Sequence, residues 1–257
     1  MLEQKWPQQL WIVRHGQSAG NVARDAAEAA SAHWIDVATR DMDTPLSALG
    51  EEQSRALGHW FGQLPAEERP NLVLSSPYVR ARQTSQLIVE ASGLANELRI
   101  RADERLREKE FGIVDRLTHF GIQQKYPELH EQRKHVGKFY FRPPGGESWC
   151  DVILRLRSML DTLTREHRRE RVLIVGHQVI VNCFRYLLER MDEDEILDID
   201  RAGDIPNCSV TSYEFDPTRG QHGKLALNLV NFIAPLEATG TPVTAAPDLP
   251  TTKGTGA

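Results

Sequence analysis

The chain of 257 residues has only three cysteines, Cys150, Cys183 and Cys208, widely separated and without a CxxC pair. That leaves no disulfide framework and no thiolate zinc site to expect, only buried free thiols. Nor is there an apolar run of the length a membrane-spanning helix needs, and the opening MLEQKWPQQL lacks the apolar core of a signal peptide. A cytoplasmic protein with no membrane partner is the expectation. Excess positive charge is missing too: 31 Lys and Arg stand against 36 Asp and Glu, a net charge of -5. The balance gives no reason to expect a nucleic-acid partner, and any anion site must be local. The sequon Asn207-Cys208-Ser209 is idle without a secretory signal.

What is present is ordinary for a globular protein, with 40% hydrophobic and 26% charged residues, and the length suffices for a substantial core. Apolar runs at Leu10 to Val13, Leu72 to Leu74 and Val172 to Val175 read as short buried strands. Helical patterns separate them. Leu49, Leu57, Trp60, Phe61 and Leu64 share one face of a helix over residues 46–64, and a second helix starts at Pro77 and ends before Gly93. A third begins at Ser148, with Asp151 completing a capping box and Trp149, Val152, Ile153, Leu156, Leu160 and Leu163 at helical spacing. A fourth follows His177. Alternation of strand and helix predicts an α/β fold, a three-layer sandwich whose central sheet is mostly parallel with helices on both faces. SVTSYEF and KLALNLVNF close it as a hairpin or edge pair.

Two segments break this rhythm inside a single domain expected over residues 1–236. Residues 22–42 are alanine-rich and read as a helical insertion. Residues 113–146 carry six Lys or Arg and three His against three carboxylates, with several aromatics, and read as a lid. From residue 237 onward Thr, Ala, Pro and Gly dominate, so residues 237–257 are expected to be a disordered tail.

The three strands end alike. The first runs into Arg14-His15-Gly16, the second into SSPYVRARQT with Arg80, and the third into Gly176-His177. In a parallel sheet these ends meet at one rim, where ligands bind. Two arginines and two histidines without a balancing acid cluster describe a pocket for a compact dianion, and phosphoryl is the natural occupant, since an arginine fork can hold two phosphate oxygens at once. Catalysis would need a nucleophile and a proton donor. His15 could attack phosphorus through one ring nitrogen if a carbonyl holds the other as N–H. Glu108 in LREKEFG is the candidate acid, because a neighbouring phosphate disfavours the charged carboxylate; Glu110 is the alternative. Singly, His177 or Arg80 would more often be structural; three complementary strand-end motifs in one chain are what carry the reading.

RHGQSAGN, DTPLSALGEEQ, SSPYVRARQT, LREKEFG, PPGGES and VGHQ occur in an order that resembles the histidine phosphatase superfamily, the phosphoglycerate mutase-like clan, over about residues 8–215. The resemblance implies a phosphoglycerate mutase-like fold, with His15 as the phosphorylated nucleophile, Arg14, Arg80 and His177 clamping the phosphoryl group, and Glu108 as the acid. Gln17 and Asn21 match positions that line the family's phosphate pocket, with Ser18 between them, while Arg82 is peripheral. The chain departs from many relatives in FGIVDRLT, where they continue with a Trp-Glu-Gly-like run, and in Gln17, where the mutases often have glutamate.

Phosphatase and mutase share the phosphohistidine step and differ in the acceptor. The segment between Glu108 and His177 is closer in length to that of the phosphatases, which favours a metal-independent phosphatase acting on a small phosphorylated metabolite, without a cofactor. A cofactor-dependent mutase is the alternative, and a non-catalytic phosphate-binding module is the alternative of another class. HEQRKH, at His130 to His135, has one residue too many for a HExxH zinc motif. The oligomeric state is not legible, and a homodimer is compatible with the sequence.

Overall fold

A computed structural model of the chain describes residues 4–245. In chain order its elements are β1 (Gln9–Arg14), α1 (Ala19–Ala29), α2 (Ala48–Gln63), β2 (Leu72–Ser75), α3 (Val79–Ala91), β3 (Ile100–Ala102), α4 (His119–Lys125), α5 (Pro127–Val136), α6 (Trp149–Glu166), β4 (Arg171–Gly176), α7 (Gln178–Glu189), α8 (Glu193–Ala202), β5 (Val210–Asp216), β6 (Lys224–Phe232) and α9 (Ala234–Thr239). The six strands form one sheet in the order β3-β2-β4-β1-β5-β6. β1, β2, β3 and β4 pair in parallel, whereas β5 runs antiparallel to both β1 and β6. The expected three-layer α/β sandwich with a mostly parallel sheet is what forms.

Both faces of the sheet are covered because the central strands are apolar on both. Leu10 and Ile12 of β1, with Val172 and Ile174 of β4, pack under Val152, Leu156 and Leu163 of α6 and Ile180 and Phe184 of α7. Trp11 and Val13, one residue out of phase, face Leu57 and Phe61 of α2, Ile88 of α3 and Leu236 of α9. This is period-two alternation with a helical layer on each side, so a continuous apolar run is what the strand needs. Helix starts follow local rules: Ser148 with Asp151 and Ser18 with Asn21 form reciprocal capping boxes at α6 and α1.

Three expectations need correction. The second helix starts at Val79, not Pro77, because Ser76 still extends the sheet edge through its N–H to Val175 O, and Tyr78 is an extended N-cap. Residues 22–42 are helical only as far as Ala29; Ser31 then takes a left-handed φ of 49°, and the chain continues as a loop to a short 3-10 turn at Asp41–Asp43. The tail expected to be disordered from residue 237 is ordered at its start. Residues 237–239 complete α9, and Gln53 Nε2 donates to Pro242 O at 2.9 Å and to Thr244 Oγ1 at 3.0 Å. The remainder, from residue 246, lies outside the described residues.

Candidate active site

The register of the sheet builds the rim. Arg14 lies opposite Gly176 and Ser75 opposite Val175, so the carboxyl ends of β1, β2 and β4 are level. The antiparallel β5 contributes its amino-terminal approach, where Cys208 N–H donates to Arg14 O at 3.0 Å and Asn207 Nδ2 donates to His15 O at 3.0 Å. Arg14, His15, Glu108 and His177 are fully buried and Arg80 is 1% exposed. Five ionisable side chains withdrawn from water at a strand-end rim are far from a solvated surface patch, and burial on this scale is tolerated when such groups hold partners.

His15 is oriented by its own turn. Its Nδ1 lies 2.6 Å from Gly16 O. A carbonyl only accepts, so Nδ1 carries the proton and Nε2 presents a lone pair. Arg80 Nε donates to that Nε2 across 3.2 Å. The His177 ring is 5.1 Å from the His15 ring, centroid to centroid, and His177 Nε2 is 2.8 Å from Ser76 Oγ. Arg14 Nη1 donates to Ile205 O, which ties the first arginine to the segment leading into β5. Tyr78 fills the space beside these groups, its ring 5.2 Å from that of His177 and 5.1 Å from the Arg80 guanidinium.

The turn after His15 sits directly on α2. A Cβ added at Gly50 would come within 1.9 Å of Gln17 O, so only glycine lets the first turn of α2 approach this closely. Gln17 N–H donates to Gln53 Oε1 at 2.9 Å, and Ser47 Oγ donates to Gln17 Oε1 at 2.7 Å. Asn21 is buried, and its Oδ1 accepts from Ser18 N–H at 2.9 Å as part of the cap of α1. Both predicted pocket residues therefore have a structural duty: Gln17 holds α2, and the oxygen end of Asn21 holds α1.

The two candidate acids are separated by burial. Glu108 is fully enclosed and its Oε1 accepts from Lys109 N–H at 2.8 Å. The Glu110 side chain is 48% exposed and its Oε1 accepts from Tyr78 OH at 2.9 Å. Enclosure is what a proton donor to a buried leaving oxygen requires, and Glu108 has it. Burial also acts on the next residue: Lys109, 8% exposed, has its ammonium pushed down to about 8, first by desolvation and then by Arg133.

The insertion and the lid, read from sequence as separate segments, make one cap. Arg116 Nη1 and Nη2 donate to Val37 O at 3.1 Å and Thr39 O at 2.7 Å, and Trp34 bridges to Leu117. Thr118 Oγ1 donates to Ala32 O at 2.6 Å, and Phe111 packs on the small cluster around Ile35. Gly121 of α4 permits the contact, because a Cβ there would stand 2.0 Å from His33 O.

The family model described as histidine phosphatase superfamily (branch 1) matches residues 10–227, most of the chain. The chain belongs to that superfamily. It is 30% identical to a 6-phosphofructo-2-kinase/fructose-2,6-bisphosphatase of Caenorhabditis elegans over 84% of this chain but only 43% of that protein. It is 26% identical to a 2,3-bisphosphoglycerate-dependent phosphoglycerate mutase of Sinorhizobium fredii, over 77% of this chain and 87% of the relative. Among solved structures, a mycobacterial glucosyl-3-phosphoglycerate phosphatase superimposes with a TM-score of 0.66 at 25% identity, covering 88% of this chain and 99% of that one. As a superfamily member the protein is an enzyme of phosphoryl chemistry. No helix among the described residues is long and apolar enough to cross a membrane.

In this superfamily member the predicted Arg14, His15, Arg80 and His177 belong to one rim, whereas Arg82 is exposed on α3. Sequence reasoning missed Ser76, Tyr78, Asn207 and Asp41, the last of which accepts from the Arg80 guanidinium through its carbonyl and its carboxylate. Ser76 and Tyr78 lie inside SSPYVRARQT, where position relative to the strand end was a usable signal. Asn207, buried and bonded to the carbonyl of His15, carries no signal in the sequence beyond an idle sequon.

Proposed function

We propose that the protein is a phosphatase that hydrolyses a phosphomonoester of a small metabolite through a phosphohistidine at His15. The observation that carries the reading is the His15 ring itself, held by Gly16 O at Nδ1 and met by Arg80 at Nε2. In the first step Nε2 forms the N–P bond while the bond from phosphorus to the leaving oxygen breaks, and Glu108 gives that oxygen a proton. In the second, Glu108 takes a proton from water as the water oxygen attacks phosphorus, and His15 is released. Arg14, Arg80 and His177 hold the non-bridging oxygens whose charge the transition state spreads. Charge neutralisation by these side chains makes the reaction independent of added metal.

A small substrate is supported by the enclosure of the reacting groups and by the insertion, which is tied to the lid through Arg116 and reaches Arg80 through Asp41. Lys109, just before the lid, lies near Arg133 and Lys138 of the lid, whose charges help to lower its ammonium, while Lys138 is paired with Asp200. Cations this close to Glu108 suit a phosphorylated metabolite with a further anionic or hydroxyl-rich group.

The test is phosphate release by wild type and His15→Ala, in chelator, across an aryl phosphate, phosphoglycerates, phosphosugars and a phosphotyrosine peptide. Chelator-resistant release lost in the variant, with the small substrates ahead of the peptide, is expected. Release that survives in His15→Ala removes the nucleophile assignment. Isomerisation of 3-phosphoglycerate without phosphate release would make the protein a mutase.

A further inference from the structure

The insertion between the opening motif and α2 reaches the catalytic rim through one residue. Asp41, first residue of the 3-10 turn, meets the guanidinium of Arg80 with both its side chain and its backbone. Arg80 Nη1 donates to Asp41 O at 2.6 Å and lies 3.1 Å from Oδ1, while Nη2 donates to Oδ2 at 3.2 Å. The end of the arginine fork is thus gripped by Asp41, and the flank bearing Nε is turned to His15 Nε2. An arginine side chain has many rotamers, and a fork aimed at a reacting phosphorus must be confined to one of them before substrate arrives.

We infer that Asp41 is a positioning residue that aims Arg80 at the phosphoryl group, which gives the insertion a part in the reaction. The inference rests on the reading of Arg80 as a phosphoryl clamp. Asp41 is itself held in place from the lid side. Its turn is preceded by the loop whose carbonyls at Val37 and Thr39 accept from Arg116, and Thr44 Oγ1 donates to Arg40 O at 3.1 Å to close the turn. A chain of contacts therefore runs from Arg116 in the lid, through the insertion loop and Asp41, to Arg80 and His15.

Electrostatics alone and positioning predict opposite signs. A carboxylate beside a dianion site repels the dianion, so neutralising a bystander at this position would tighten anion binding. If Asp41 instead aims the fork, neutralising it loosens the grip on the anion, most of all on a trigonal-bipyramidal one.

The experiment measures orthovanadate and orthophosphate binding by calorimetry, and turnover of an aryl phosphate, for wild type, Asp41→Asn and Asp41→Ala, with melting curves to confirm folding. The expected order of vanadate affinity is wild type, then Asn, then Ala, with Ala weaker by about tenfold or more and the loss falling on kcat more than on KM. The Asn variant keeps one acceptor for the fork and decides the matter if Ala fails to fold. Variants that bind vanadate as tightly as wild type, or more tightly, overturn the inference while leaving the clamp intact. Wild type that binds neither anion removes the clamp, and the inference with it.

Discussion

Arg80 Nε stands 3.2 Å from His15 Nε2, on an imidazole whose other nitrogen is already committed to Gly16 O. The arginine and the nucleophile are thus in register. Lysine at this position keeps the charge but loses the planar fork, so Arg80→Lys should lower kcat/KM for an aryl phosphate by about 100-fold. A loss of only two- or three-fold would mean that the fork geometry contributes little.

Glu108 and Glu110 make a direct contrast, one enclosed and one half in solvent. Glu108→Gln should slow alkyl phosphates, whose leaving oxygen needs a proton, far more than p-nitrophenyl phosphate. Glu110→Gln should slow both alike and slightly, through its bond to Tyr78 OH. Rates on the two substrate types for each variant decide which carboxyl is the acid.

Lys109 should make stability depend on pH in the alkaline range. Its folded value is lowered from 10.5 to about 8, first by burial and then by Arg133 and Lys138, against the pull of Glu108 and Glu147. Between these values the unfolded chain binds more protons than the folded one, so stability rises with pH. Below pH 8 the buried ammonium costs folding about 3 kcal/mol. Lys109→Met, which keeps an apolar stem against the Phe111 ring, should raise the melting temperature at pH 7 by about 5 °C, the gain shrinking toward pH 10. A variant less stable than wild type at every pH would show that the lysine is a net stabiliser.

Removal of residues 237–257 should destabilise the protein. Gln53 loses its acceptors at Pro242 and Thr244, and Asn207 Oδ1 loses the hydroxyl of Thr244, which donates to it across 2.9 Å. With the backbone bond from Asn207 N–H to Thr244 O at 2.7 Å, four bonds at about 1 kcal/mol each lower the melting temperature by about 10 °C. Calorimetric scans of full-length and truncated protein check this, and coincident transitions would show that the segment adds nothing.

Much of the fold is legible in the sequence because the three central strands are apolar on both faces and each runs straight into a chemically distinctive triplet. The rim follows from that pattern: parallel strands with level ends bring Arg14, Arg80 and His177 to His15 wherever the loops go. The contacts of Asp41 with Arg80 and of Asn207 with His15 are of another kind. They join residues 39 and 192 positions apart through irregular backbone, with no periodicity to announce them. Order at the start of the tail is not legible because Thr, Pro and Gly offer little apolar area. Carbonyl and hydroxyl oxygens can still anchor a segment when a buried glutamine and asparagine donate to or accept from it, and composition does not report such bonds.

The docking of residues 242–244 bears on how the protein is handled. Thr244 is bonded to Asn207, and Asn207 to the carbonyl of His15, so the C-terminal segment is two side chains away from the nucleophile. Gln8 and Lys5, by contrast, precede β1 at the end of the strand opposite the rim. An affinity tag or fluorescent fusion joined close behind residue 245 would pull on the loop that seats His15, and immobilisation by that end would bias any measured rate. Fusion at the amino terminus puts the load about 20 Å away, the length of β1.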